Sequence, residues 1–220
     1  MKNIDRDSLR PRLVDGARAL DVPLSDAQTD KLLAYLALLL KWNTVYNLTA
    51  VRDPSQMVTQ HLLDSLSAVP AFSGAHRVLD VGAGGGLPGI VLGIWAAETQ
   101  PDMRITMIDT VHKKTAFLTQ VKGELNLSNV EVQTGRVEQW KAPEAFDVIT
   151  SRAFAELSDF VTWSAHLLAD GGKFVALKGL LPEDEIKRLP QGWKVAEVRA
   201  LQVPELGAER HLVFIERENS

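Results

Sequence analysis

Residues 77–90 read RVLDVGAGGGLPGI, an apolar run that meets an acid and then breaks into five glycines between positions 82 and 89. Glycine inside a helix or strand costs roughly 0.5–1 kcal/mol relative to alanine, so such a cluster needs a cause. The backbone there must either turn sharply or let something come close. The cluster follows a stretch that reads as a strand and precedes one that reads as a helix, which is the context a ligand-cradling loop requires. In open sheets of this kind the ligand sits at the carboxyl ends of the strands, where the strand order reverses.

The rest of the chain agrees with a parallel sheet. Strand candidates lie at 77–81, 104–109, 129–134, 146–150, 172–178, 193–203 and 211–216. Helix candidates lie between them near 88–98, 112–126, 157–168 and 183–189. Such alternation implies a mostly parallel sheet covered on both faces. Only Pro204, Glu205, Leu206 and Gly207 separate the last two strands, so these form an antiparallel pair at one edge. The fold class is α/β: a seven-stranded Rossmann-like sheet.

Residues 1–70 carry no strand pattern and read as a helical N-terminal extension to a compact core at 71–220. Ser25-Asp26-Ala27-Gln28 has the form of a capping box. Behind it Leu32, Leu33, Leu36, Leu39 and Leu40 recur at helical spacing. That helix is expected to end near Trp42 and Asn43. A structured loop follows, and Pro54 suits the first turn of a new helix carrying His61, Leu62, Leu66 and Val69 and stopping before Pro70.

Composition excludes several chemistries. The 220 residues include no cysteine. That removes disulfides, Cys-ligated zinc, iron–sulfur clusters and any thiolate nucleophile, and it suits a reducing cytoplasm. The start, MKNIDRDSLRPRL, has no apolar stretch of a secretory signal. The run LLAYLALLL at 32–40 falls far short of the roughly 20 residues a membrane helix needs, so no membrane partner is expected. Net charge is −4, and none of the stretches 1–70, 71–150 and 151–220 is basic. This argues against a protein that grips nucleic acid chiefly through its phosphates.

Two ligands compete for the glycines. Gly84 to Gly89 formally matches the dinucleotide fingerprint GxGxxG, yet Gly89 falls directly after Pro88, at the helix start rather than inside the helix. The alternative is Asp80-x-Gly82-x-Gly84-x-Gly86. An acid at the strand tip suits S-adenosylmethionine, whose methionine end carries an ammonium, and would repel a pyrophosphate. Asp109 ends the second strand, where it can accept hydrogen bonds from ribose hydroxyls of either ligand. A purely structural turn is the third reading.

Further blocks sharpen the choice. LDVGAGGGLPGIVL is preceded by KWNTVYNLTAVRD and HLLDS and followed by SRAFA, LKG, PEDEI and ERHLVFI. Together they resemble the bacterial small-subunit rRNA guanine-N7 methyltransferase family (RsmG, formerly GidB), from about residue 25 to 216. The resemblance implies an enzyme with a seven-stranded methyltransferase sheet and a helical extension. It implies S-adenosyl-L-methionine as cofactor, S-adenosyl-L-homocysteine as product, and N7 of guanine 527, in the 530 loop of 16S rRNA, as target. The RNA is expected within a small-subunit or other ribonucleoprotein particle in the cytoplasm. The resemblance implies Gly82, Leu87, Val137, Glu138 and Arg152 as cofactor residues; Gly84 in the glycine loop and Asp109 at the second strand tip join them from the reading of the residues above. Arg152 at a strand tip can grip a carboxylate through its two-pronged guanidinium; its alternative is an ion pair with Asp147 or Glu156. Asn47, Lys178 and Arg210 are substrate-binding candidates, with Arg52, Lys113 and His211 behind them. Phe154 can stack on the target base or belong to the core.

The residues also narrow the chemistry. Methylation at pyrimidine C5 uses a cysteine. Methylation of exocyclic amines typically uses an Asn/Asp-Pro-Pro-aromatic stretch after the fourth strand, where this chain has Thr150-Ser151-Arg152-Ala153-Phe154. Hydroxyl methylation wants a base or a metal, and no ligand cluster stands out. Guanine N7 has an in-plane lone pair and carries no proton, so alignment alone can drive its attack. No catalytic base and no metal are assigned. His61 and Asp64 stand three apart and can pair on one helix. A small-molecule methyltransferase is the alternative function.

Overall fold

The computed structural model describes residues 5–218. The chain begins with two helices, α1 (Arg6–Ala19) and α2 (Asp26–Tyr46). The capping box at Ser25 is formed: its hydroxyl accepts from the Gln28 N–H at 3.0 Å, and the Gln28 side chain accepts from the Ser25 N–H at 2.9 Å. α2 runs past the expected stop at Trp42 and Asn43 as far as Tyr46. Trp42 and Tyr46, one turn apart, pack ring to ring at 5.1 Å and carry the helix on. Asn47 then ends it in the left-handed conformation, φ 48°.

Pro54 opens the next helix as expected. It comes in three parts: α3 (Pro54–Met57), a π-helical stretch (Val58–Leu63) and α4 (Asp64–Ser67). A 3₁₀ turn over Val69–Phe72 follows.

The sheet contains β1 (Arg77–Val81), β2 (Arg104–Asp109), β3 (Val130–Thr134), β4 (Phe146–Arg152), β5 (Leu168–Lys178), β6 (Trp193–Leu201) and β7 (Arg210–Arg217). Their order is β3-β2-β1-β4-β5-β7-β6. The first five strands are mutually parallel, and β7 lies antiparallel between β5 and β6. The strands connect through α5 (Gly89–Thr99), α6 (His112–Glu124), α7 (Leu157–Ser164) and α8 (Glu183–Lys187).

Alternate residues of each strand enter different cores, as the pleat requires. Val78, Ile105 and Met107 face a core that also contains Leu13, Leu36, Leu62, Ile90 and Phe117. Leu79, Val81 and Ile108 face the other, with Leu157, Phe160 and Phe174. The helical extension therefore packs on the same face of the sheet as α5 and α6. The strand order reverses between β1 and β4, because β2 and β3 lie to one side of β1 and β4 and β5 to the other.

Candidate active site

The glycine loop sits where that reversal opens a crevice. It begins at the end of β1, and the N–H groups of Gly82 and Ala83 both donate to the Ile108 carbonyl on β2. Gly82, Gly84 and Gly86 all have positive φ. Two side chains brace the loop. The Asp109 carboxylate accepts from Gly84 N–H at 3.0 Å and from Val111 N–H at 2.9 Å. The Tyr35 hydroxyl, from α2, donates to the Gly85 carbonyl at 2.6 Å. Nothing in the apolar run around Tyr35 announced that contact.

Asp80 departs from its expected role. It is fully buried and lines no part of the crevice. Its Oδ2 accepts from Gly89 N–H at 2.9 Å, across the first turn of α5. A Cβ on Gly89 would stand 2.7 Å from that oxygen, so glycine is what lets the helix start this close to the strand. The acid at the strand tip anchors the turn from beneath. Burial pushes its carboxyl up to about 7, against the opposing pull of the Gly89 N–H and Arg152.

Above the loop lie two cavities. One, of about 500 Å³, is walled by Ile108, Val137, Phe154 and Trp163, with Asp109, Arg136 and Glu138 at its edge. The other, of about 470 Å³, is lined by Gly84, Gly85, Leu87, Arg152, Lys178 and Arg210 among others. Gly82, Lys114 and Ala153 line both, so the two are halves of one cleft. The first half pairs an apolar slot with a carboxylate. The second is cationic, although the whole chain is acidic.

All seven expected cofactor residues line one half or the other. The seven divide as Asp109, Val137 and Glu138 in the first half, Gly84, Leu87 and Arg152 in the second, and Gly82 in both. Glu138 is held below the usual carboxylate range by its own N–H and by Arg136, whose Nε donates to it at 2.6 Å. Of the substrate candidates, Lys178 and Arg210 line the second half. Lys178 is also engaged with Glu185 at 2.7 Å and the Ala155 carbonyl at 3.2 Å. Asn47 lies outside both halves, exposed, its Oδ1 accepting from Arg52 at 3.0 Å.

Arg152 pairs with neither of the acids considered for it. Asp147 instead accepts from the N–H groups of His76 and Arg77, and Glu156 pairs with Arg188. Arg152 reaches Asp64 on the helical extension, Nη1 to Oδ2, at 3.2 Å. Asp64 also accepts from Arg210 Nε at 2.7 Å. The expected pairing of His61 with Asp64 is therefore not formed. His61 turns to Thr49, Nε2 to Oγ1, at 2.8 Å. Burial, with Arg152 adding to it, pushes the His61 imidazole down to about 4. Phe154 lines the first half and packs edge-on against Phe160 and Trp163. Trp163 and Lys114 were not among the expected residues; both lie in helices that follow strand tips.

The residues fit S-adenosylmethionine on grounds of their own chemistry. An apolar slot can take a purine, and Asp109 beside it can accept from a ribose diol. At the far end Arg152 can receive a carboxylate. Among the described residues no group of three or more His, Cys, Asp or Glu is placed to hold a metal ion.

Comparison with known proteins points the same way. The family model described as GidB, rRNA small subunit methyltransferase G, matches residues 28–213. The chain is 74% identical to the ribosomal RNA small subunit methyltransferase G of Janthinobacterium sp. (strain Marseille) over 217 residues, covering 99% of each. It is 71% identical to that of Herminiimonas arsenicoxydans over 217 residues, covering 99% of this chain and 100% of the relative. In fold it is similar to the N-methyltransferase NodS of Bradyrhizobium japonicum WM9 in complex with S-adenosyl-L-homocysteine, with a TM-score of 0.54 at 14% identity over 81% of this chain and 98% of that one. It is also similar to the glycopeptide N-methyltransferase MtfA complexed with S-adenosyl-L-methionine, with a TM-score of 0.59 at 11% identity over 70% of this chain and 87% of that one.

Proposed function

Because the chain belongs to the rRNA small subunit methyltransferase G family, we propose that it transfers a methyl group from S-adenosylmethionine to N7 of one guanine of bacterial 16S rRNA, guanine 527 in the 530 loop. The observation that carries this reading is the continuous cleft above Gly82, with one half that sets apolar walls beside Asp109 and Glu138 and another that is cationic. The substrate is the RNA within a small-subunit particle in the cytoplasm. Such a particle offers shape and protein surfaces for selection, which suits an enzyme of net charge −4.

In this reading Ile108 and Val137 hold the adenine, Asp109 and Glu138 the ribose side, and Arg152 the methionine carboxylate. S-adenosylmethionine supplies an electrophilic methyl on its sulfonium. Leu87 and the Gly82–Gly85 backbone wall the half of the cleft that also contains Arg152, and Arg210 and Lys178 in that half would face the incoming RNA. N7 of guanine carries no proton, so no side chain is asked to remove one. The protein's contribution is alignment, which is worth effective molarities of order 10⁵–10⁸ M when two groups are held in line.

The test is to map N7-methylguanine in the 16S rRNA of cells with and without this protein. Loss of the modification at a single guanine on deletion, restored by the intact chain, supports the proposal. A guanine still methylated in the deletion strain overturns it.

A further inference from the structure

Asp64 is nearly as buried as Asp80, yet it serves two cations from different strands. Its Oδ2 accepts from Arg152, at the end of β4, and its Oδ1 from Arg210, at the start of β7. Both arginines line the cationic half of the cleft with Leu87 and Lys178. One carboxylate cannot neutralise two guanidiniums. Lys178 is matched by Glu185 and Lys114 stands 3.5 Å from Asp109, so the wall keeps about one surplus positive charge.

The position of Asp64 follows from the helix that carries it. It stands directly after the π-helical stretch Val58–Leu63. A π turn widens the helix and re-aims its carbonyls and side chains, and such turns are frequent at functional sites. Here the Gln60 carbonyl, inside that stretch, accepts from the same Arg152 Nη1 at 3.2 Å. The extension thus grips one corner of Arg152 with two acceptors. A guanidinium has five N–H donors in a planar fork. Gripping Nη1 fixes the plane and leaves the opposite edge for a carboxylate.

On the reading that this cleft holds the cofactor and the RNA, we propose that Asp64 is a positioning residue for the methyl transfer. It sets the plane of Arg152 for the methionine carboxylate and holds Arg210 against the same wall for an RNA phosphate. The helical extension would then be part of the catalytic apparatus through this side chain as well as through the Tyr35 brace on the glycine loop, beyond its share of the core.

Asp64→Asn keeps the shape but sets an amide N–H₂ against one of the two guanidiniums. Calorimetry with S-adenosylhomocysteine should give an affinity on the order of 10-fold weaker, the scale expected for a lost charged hydrogen bond. Arg152→Gln should weaken it similarly, and the double variant little further. The same non-additivity should hold for Asp64→Asn with Arg210→Gln in the KM for small-subunit particles. A merely structural role lowers the fraction of binding-competent protein and leaves the dissociation constant of the remainder unchanged. Asp64→Glu, which keeps the charge and moves it by one methylene, tests placement alone and should also weaken binding. Wild-type affinity in both Asp64 variants, or strictly additive doubles, overturns the role while the cofactor reading stands. A wild-type chain that does not bind S-adenosylhomocysteine overturns both.

Discussion

The ring of Phe154 lies across the α-carbon of Gly82, joining the loop after β4 to the loop after β1. A Cβ built on Gly82 would stand 3.1 Å from the Phe154 Cγ and closer still to Cδ2. Gly82 also has φ +68°, where an L side chain is strained. Gly82→Ala therefore meets two penalties in one methyl, and either the ring or the loop must move. Both line the cleft, so the cost falls on binding. Affinity for S-adenosylhomocysteine should drop at least 10-fold, and stability should fall by about 1–3 kcal/mol, the scale of one strained residue. Calorimetry and a urea transition measure the two. Unchanged affinity would mean that the loop does not hold the cofactor.

The Tyr35–Gly85 hydrogen bond ties α2 to the same loop from below. Burial pushes the phenol well above its ordinary range, so it donates at all ordinary pH values. Tyr35→Phe removes the donor and leaves the Gly85 carbonyl without it. A neutral hydrogen bond of this kind contributes about 1 kcal/mol. Denaturant unfolding should show a loss of that order. The stabilisation gained on adding S-adenosylhomocysteine should shrink as well, because the loosened loop costs more to order. An equal ligand-induced gain in both proteins would place Tyr35 in the core alone.

The sheet was legible because each strand carries its own short apolar run and several connections carry glycine or proline, as at Gly82–Gly89 and Pro204–Gly207. The glycine loop between a strand and a helix was legible for a similar reason: acid, glycines and second-strand acid lie close in sequence. Long-range pairings left no such trace. Asp64 meets Arg152 and Arg210 across 88 and 146 residues, and no local pattern encodes that. The π stretch is equally silent, since Val58–Leu63 reads as an ordinary helix until it is packed. Asp80 is expected to face the ligand, but a strand-tip acid can turn outward to a ligand or inward to a helix start, and this one turns inward to the Gly89 N–H. The choice was made by Gly89, whose lack of a Cβ opens the inward route.

Two buried groups should give opposite slopes in stability against pH. Asp80 has its pKa raised from 3.8 to about 7, so the folded state binds its proton more tightly than the unfolded state does. Its contribution is fully present below about pH 4 and is lost as pH rises towards 7. His61 has its pKa lowered from 6.5 to about 4, so the folded state resists its protonation. Its contribution is present above about pH 6.5 and is lost as pH falls towards 4. Between those limits the two oppose each other in the wild type. Asp80→Asn should expose the histidine slope, with urea midpoints rising from pH 4 to 6.5. His61→Gln should expose the acid slope, with midpoints falling over pH 4 to 7. Flat profiles in both variants would show that neither group is perturbed as its burial requires.

On the proposed reading, Arg210 should separate RNA binding from cofactor binding. Its side chain is about one-quarter exposed and lines the cationic half of the cleft, beside the end assigned to the methionine carboxylate. Each phosphate neutralised by a protein cation releases condensed counterions, which makes binding salt-dependent. Arg210→Gln should raise the dissociation constant for small-subunit particles and lower the slope of log affinity against log salt by about 1. Because Arg152 keeps its Gln60 and Asp64 acceptors, affinity for S-adenosylhomocysteine should change less than about 3-fold, well short of a charged hydrogen bond. With so acidic a chain the wild-type slope itself should be shallow, so the loss of one contact is a large share of it. A variant with the wild-type salt slope but weaker cofactor binding would move Arg210 from the RNA side of the cleft to the cofactor side.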